Sequence, residues 1–447
     1  MSFVNVSLAE MASMAPTSGG QYHWVSEFSP PRFQQYLSHL TGWMSTISWQ
    51  AGTASGPFLV GTLIQAQIQI NNPGYAATNW QGTLLVIAIT LVVWVSNVFC
   101  SRAMPIFQNL MLIVHVGGFL AIMIVWWALA PHNSAETVFT TFTDGGGWQT
   151  IGVSMMVGQI SSIYALICKR LLYFQNMNDA KRDKGSDAAA HMAEEIKDAG
   201  TAVPKAIIRS YLGNSLIGFI GLITFLFVLT DLEGALDSET GWPHIWALQQ
   251  SVGLAGTNVL NFILISLIFA GTISFNLSTS RQTWAFARDR GLPFSNWLSY
   301  VHPKLQVPAN AVTFTSLFTI ILSFINIGSD VAFNAIISLN LVALMLTYTV
   351  SIGCVLYRRI VHPELLPKAR WSLGKWGIFV NGGGLLYSIF AFFWCFWPES
   401  KEVTLAGFNW AVLMFIVLAM GSTLDYWFRA KKAFKGPVTI VQGFHLE

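Results

Sequence analysis

Ten long apolar stretches constrain this chain more than any motif in it. They run over 41–70, 80–100, 105–130, 151–167, 206–230, 254–279, 308–327, 331–357, 377–397 and 403–427. Most reach the ~20 residues that a helix needs to cross ~30 Å of hydrocarbon. The connections between them alternate in charge. All but one of the 24 lysines and arginines fall on every second connection, and Lys401 is the exception. Arg32 precedes the first stretch, Arg102 follows the second, and basic residues cluster at 168–209, 280–307, 358–376 and the tail, while 71–79, 131–150, 231–253 and 328–330 have none. This is the positive-inside pattern, so the basic side is expected to face the cytosol, with both termini on that side.

Composition agrees. Hydrophobic residues make up 53% and charged residues only 10%, against roughly 25% charged in soluble domains. A multi-pass helical protein embedded in a lipid bilayer follows, organised as one transmembrane domain over 1–430 with a cytoplasmic tail at 431–447. No basic patch interleaved with aromatics suggests a nucleic acid. Cys100, Cys168, Cys354 and Cys395 are widely spaced and lack metal or redox spacing, so no cofactor or metal is expected. Trp80, Trp126, Trp127, Trp397 and Trp427 lie near stretch ends, which suits anchoring at the bilayer interface. No phosphate loop, nucleophile elbow or catalytic dyad is present, and an enzyme is not the expectation.

Polar residues recur within the apolar stretches, among them Trp49-Gln50, Gln65, Gln159, Asn261, Asn276 and Asn340. They read either as hydrogen bonds between helices or as a polar path through the bundle. The stretch 151–167 is short and rich in Gly and Ser. A charged segment follows, and Gly185-Ser-Asp reads as a helix start that Ser186 or Asp187 could cap. A helix broken and restarted at membrane depth binds ions and substrates with its exposed backbone ends. The alternative is an ordinary helix ending in a loop.

Four motifs carry a resemblance to a known family. They are Ser7-Leu-Ala-Glu-Met-Ala-Ser-Met-Ala-Pro16 through Trp24; Glu194-Glu195 followed by Ala202-Val203-Pro204-Lys205-Ala206-Ile207; Ser280-Arg281 through Arg288-Asp289-Arg290-Gly291-Leu292-Pro293; and Lys435-Gly436-Pro437. In this order they resemble permeases of the amino acid–polyamine–organocation superfamily, with the closest likeness to fungal permeases for amino acids, γ-aminobutyrate and choline. The resemblance implies an all-α, LeuT-like inverted-repeat helix bundle with helices 1 and 6 unwound at the centre. The ten stretches then correspond to family helices 3–12 and residues 1–14 to the end of helix 2, leaving helix 1 and most of helix 2 unmatched. A second departure is the charged insert 168–184, which separates Tyr164-Ala-Leu-Ile167 from Gly185-Ser-Asp187. Its cations cannot rest in hydrocarbon, so it is expected to loop toward the cytosol or to reflect a retained intron.

The resemblance places Tyr164, Ala165, Leu166, Ile167, Gly185, Ser186 and Asp187 at the border of the substrate cavity, with Phe275 and Asn276 nearby. Tyr164 could stack on a cationic amine or be a packed helix aromatic. Asp187 could neutralise an ammonium or carry a coupling proton, or simply cap the second half-helix. Trp49 and Gln50 are weaker candidates. The expected function is secondary active transport of amino acids or related amines, such as γ-aminobutyrate, choline or a polyamine, with a possible coupling proton as in the relatives, in the plasma or vacuolar membrane. The competing expectation is a truncated, transport-inactive membrane protein arising from an incomplete or mis-spliced gene.

Overall fold

The computed structural model describes residues 1–168, 193, 196, 198–328, 330–398, 400–404, 408–434 and 436–437, with backbone alone for 164–168, 328 and 330–337. Every apolar stretch of the sequence lies on a helix. Helices α1 (Ser2–Met14) and α2 (Gln21–Phe28) are followed by α3 (Gln34–Asn71), α4 (Asn79–Phe99), α5 (Met104–Leu129), α6 (Ala135–Thr140) and α7 (Ile151–Cys168). Then come α8 (Ala199–Val228), α9 (Leu232–Leu236), α10 (Pro243–Arg288), α11 (Ser295–Leu298), α12 (Ala309–Gly328), α13 (Asp330–Val361), α14 (Gly377–Trp394) and α15 (Ala411–Asp425). No strand occurs among the described residues; the turn at 302–307 is closed by a single bridge, His302 to Val307.

Eight helices among the described residues are both long and apolar enough to cross a membrane. The two apolar stretches outside that group differ for separate reasons. The one on α7 is an apolar helix counted only over Ile151–Ile163, whereas α3, at 38 residues, is long but rich in Ser, Thr, Gln and Gly. Its place explains its polarity. Helix α3 is surrounded by α4, α10, α12, α13 and α15, and its middle from Ser48 to Ser55 is wholly buried. The outer helices instead expose apolar side chains, such as Leu91 on α4, Ile113 on α5, Phe219 on α8 and Leu386 on α14. That inversion, polar inside and apolar outside, is what lipid as solvent selects. Trp80, Trp127 and Trp427 are exposed at helix ends as interfacial anchoring requires, but Trp126 is buried against Phe225 of α8.

Two of the helical pieces outside the apolar stretches shape the bundle. Helix α2 occupies the polar segment after α1, and the Arg358 guanidinium closes its C-terminus by donating to the carbonyls of Glu27, Phe28 and Ser29. Such a cation satisfies the orphan carbonyls and the helix dipole together. Helix α10 begins in the acidic connection and is broken at Gly253, whose φ of 64° and ψ of −173° only glycine adopts readily. The piece before the break is a separate helix, and the apolar span follows it.

The end of the bundle that carries the basic residues is tied by polar contacts. Glu10 of α1 is 1% exposed and pairs with Arg359 Nη2 of α13 at 2.5 Å. The same carboxylate accepts from the Leu373 amide at 2.8 Å, and Arg359 Nε donates to Asn381 of α14 at 3.1 Å. Ser13 donates to the Gly200 carbonyl at 2.7 Å and accepts from the Trp371 amide at 2.9 Å. At the same end Asp425 accepts from Arg429 at 2.7 and 2.6 Å and from Trp43 Nε1 at 3.2 Å. The buried His39 Nε2 approaches Asp425 Oδ2 to 3.2 Å, and the rings of Trp43, Phe286, Tyr426 and Phe434 surround it.

Candidate functional site

The polar centre of the bundle lies where α3 crosses α10 and α13. Glycine sets the approach of these helices. A Cβ on Gly52 would stand 2.6 Å from Asn340 Nδ2 of α13 and 3.0 Å from Phe275 Cζ of α10, and one on Gly56 would stand 2.6 Å from Thr272 Oγ1. Close approach of this kind allows short side chains to bond across the seam. Ser48 donates to the Asn340 side-chain oxygen at 2.8 Å, within reach of its carbonyl at 2.7 Å. Thr53 meets the Thr279 hydroxyl at 2.7 Å. Gln50 Nε2 donates to Thr283 of α10 and Thr315 of α12, both at 3.0 Å.

Two aromatic rings lie against this polar seam. Trp49 and Phe275 have ring centroids 4.8 Å apart at 34°. Trp49 is 4% exposed and Phe275 is half-buried. The groups that bond across this seam are hydroxyls and amides: Ser48, Gln50, Thr53, Thr279, Thr283, Thr315 and Asn340. Aromatic faces in a dry setting attract an organic cation through the ring quadrupole, and the surrounding hydroxyls and amides offer directional bonds to a second polar group.

The site residues nominated from the sequence separate into groups. Phe275 stands at the seam with Trp49. Asn276, one residue on, turns toward α4 and α12, where it accepts from Asn97 at 3.2 Å and donates to Ser316 at 3.4 Å. Successive helix positions point about 100° apart, so the two neighbours do not share a face. Tyr164, Ala165, Leu166 and Ile167 form the last turn of α7. That helix packs beside α8 and α14, and its Ile163 is buried with Val4, Leu8, Ile207 and Ala391. Gly185, Ser186, Asp187 and all of the 168–184 insert after Cys168 lie outside the described residues. Thr279, Thr283 and Thr315 carry bonds at the centre without having been singled out. Their signal was present in the sequence, because 275, 279, 283 and 286 recur at helix-face spacing in α10.

Comparison with known proteins agrees with this architecture. The amino acid permease family profile matches residues 1–419. A Macrophomina phaseolina protein, provisionally named an amino acid/polyamine transporter, is 29% identical over 411 residues, covering 91% of this chain and 86% of its own length. The choline transporter of Saccharomyces cerevisiae is 26% identical over 436 residues, 96% of this chain and 73% of the relative. An amino-acid permease of Arabidopsis thaliana is 27% identical over 455 residues, 98% and 84% of the two chains. These matches favour a transporter over a transport-inactive remnant. With a profile match along nearly its whole length and a bundle that is polar inside and apolar outside, the chain belongs to the amino acid permease family of multi-pass membrane transporters, whose substrates are amino acids or amines.

Proposed function

We propose that this permease carries an amine-bearing substrate, an amino acid or a relative such as γ-aminobutyrate, choline or a polyamine, by secondary active transport coupled to protons. The observation that carries the reading is the Trp49–Phe275 ring pair at the polar crossing of α3, α10 and α13. A cationic amine set against these rings gains a cation–π contact worth ~2 kcal/mol or more once water is excluded. In this reading Tyr164 to Ile167, and Gly185 to Asp187, border the substrate cavity, as the family resemblance implies. Asp187 is the carboxylate proposed to neutralise the substrate ammonium or to carry the coupling proton. Alternating access then rocks part of the bundle around this crossing. The transport domain spans 1–430, the termini face the cytosol, and the plasma or vacuolar membrane houses the protein.

Radiolabelled uptake at matched surface expression tests the reading. Trp49→Ala and Phe275→Ala are each expected to lower kcat/KM at least tenfold, as are Tyr164→Ala and Asp187→Asn. Collapse of the pH gradient with a protonophore is expected to abolish accumulation. Wild-type uptake by both aromatic variants removes the seam from the transport path.

A further inference from the structure

Helix α10 turns one stripe toward α3. Phe275 meets Trp49, Thr279 meets Thr53, and Phe286 lies against Gly42, where an added Cβ would come within 2.3 Å of its ring. Gln282 is three residues after Thr279 and four before Phe286, so it falls in the same stripe. Helix α3 answers with Gly42, Ser45, Trp49 and Gly52, again at helix-face spacing. Ser45 and Gln282 therefore face one seam, in the layer bounded by the Gly42–Phe286 contact and the Gln50–Thr283 bond.

Both side chains are fully buried, at 0% exposure. Neither the two polar atoms of Gln282 nor the Ser45 hydroxyl has a hydrogen-bond partner among the described residues. Poor packing does not explain this, because Thr46, Ser48, Thr53 and Thr283 around them are all bonded. A buried carboxamide with donor and acceptor both unmet bears the whole desolvation cost of each, and such groups in native proteins call for a specific explanation.

Direction and charge identify the partner. Helix side chains lean toward the helix N-terminus, which for α10 brings the Gln282 amide along the seam toward Phe275. A carboxylate could use the amide N–H and the Ser45 hydroxyl but would leave the Gln282 carbonyl oxygen unmet. A hydroxyl both donates and accepts, and satisfies both. We propose that Gln282 and Ser45 form a substrate subsite that holds a hydroxyl group of the transported amine, one to two turns from the ring pair. This rests on the transport reading above and adds to it a selectivity for hydroxylated substrates.

The test uses substrate pairs that differ only in a hydroxyl: choline with ethyltrimethylammonium, and L-serine with L-alanine. The wild type is expected to prefer the hydroxylated member of at least one pair by about tenfold in kcat/KM, the scale of one buried hydrogen bond to a neutral group. Gln282→Leu is expected to collapse that ratio toward one, and Ser45→Ala, a smaller change, to narrow it. Surface expression is measured alongside, so a folding defect is seen as such. No preference in the wild type overturns the subsite, and so does an equal loss for both members of a pair in both variants. Uptake of γ-aminobutyrate or a polyamine that is lost in Trp49→Ala, in a protein with no hydroxyl preference, removes the subsite and leaves the transport reading standing.

Discussion

His39 shows how much one buried side chain can reveal about conditions. It precedes the apolar stretch of α3, and burial pushes its imidazole down to about 4, outweighing the Asp425 carboxylate that would raise it. Arg429, which grips Asp425, acts in the same downward direction as burial. The folded protein therefore holds His39 neutral while the unfolded chain takes up a proton near pH 6.5. Stability from this site is complete above pH 6.5 and declines as pH falls toward 4, because the unfolded state then binds the extra proton. Thermal unfolding of the purified protein in detergent is expected to show a Tm that drops between pH 7 and 5, and His39→Gln is expected to flatten the drop. A wild-type Tm that is level over this range contradicts the account.

Helix α1 shows the same reasoning for an element. Nine of its 13 residues are buried, and its one carboxylate, Glu10, is engaged by Arg359 and two groups of the 363–376 connection. Breaking a buried ion pair from one side leaves the other charge unmet, at a cost of about 3 kcal/mol. Glu10→Gln is expected to lower Tm by several degrees, whereas Glu10→Leu combined with Arg359→Met should cost less than either single change. Equal melting of Glu10→Gln and wild type would place the pair among inert contacts. Elements of this kind were unevenly legible. The apolar stretches were visible because lipid demands length and hydropathy together, most plainly in the eight helices that qualify alone. Helix α2 and the piece of α10 before Gly253 were not, since amphipathic helices in polar connections carry no such length signal. At the centre, Trp49, Gln50 and Phe275 could be nominated, but Ser45 and Gln282 carry no sequence signal that marks them. Only the absence of their partners, a three-dimensional fact, sets them apart.

Across the whole molecule, the alternation of basic connections remains the handle on orientation. On the proposed orientation, with both termini inside, a cysteine at Lys304 in an otherwise cysteine-free protein is expected to resist an impermeant thiol reagent added to sealed cells and to react after permeabilisation. Labelling from outside would reverse the assignment. The contrast between a polar α3 at the centre and apolar helices around it has a further consequence for biosynthesis. A translocon sorts each emerging segment by its own partition into lipid. Helix α3 carries Gln50, Gln65, Gln67 and many hydroxyls and is not among the helices that qualify alone. It emerges before α10, α12 and α13, the partners that bond its polar groups. Its integration must therefore wait, held at the ribosome exit or paired with α4, until later helices are made. Transplanted alone into a reporter protein, Gln34–Asn71 should insert poorly, and extension through α4 should raise its insertion. Translation rate over the downstream helices then becomes a determinant of how much correctly assembled permease a cell obtains.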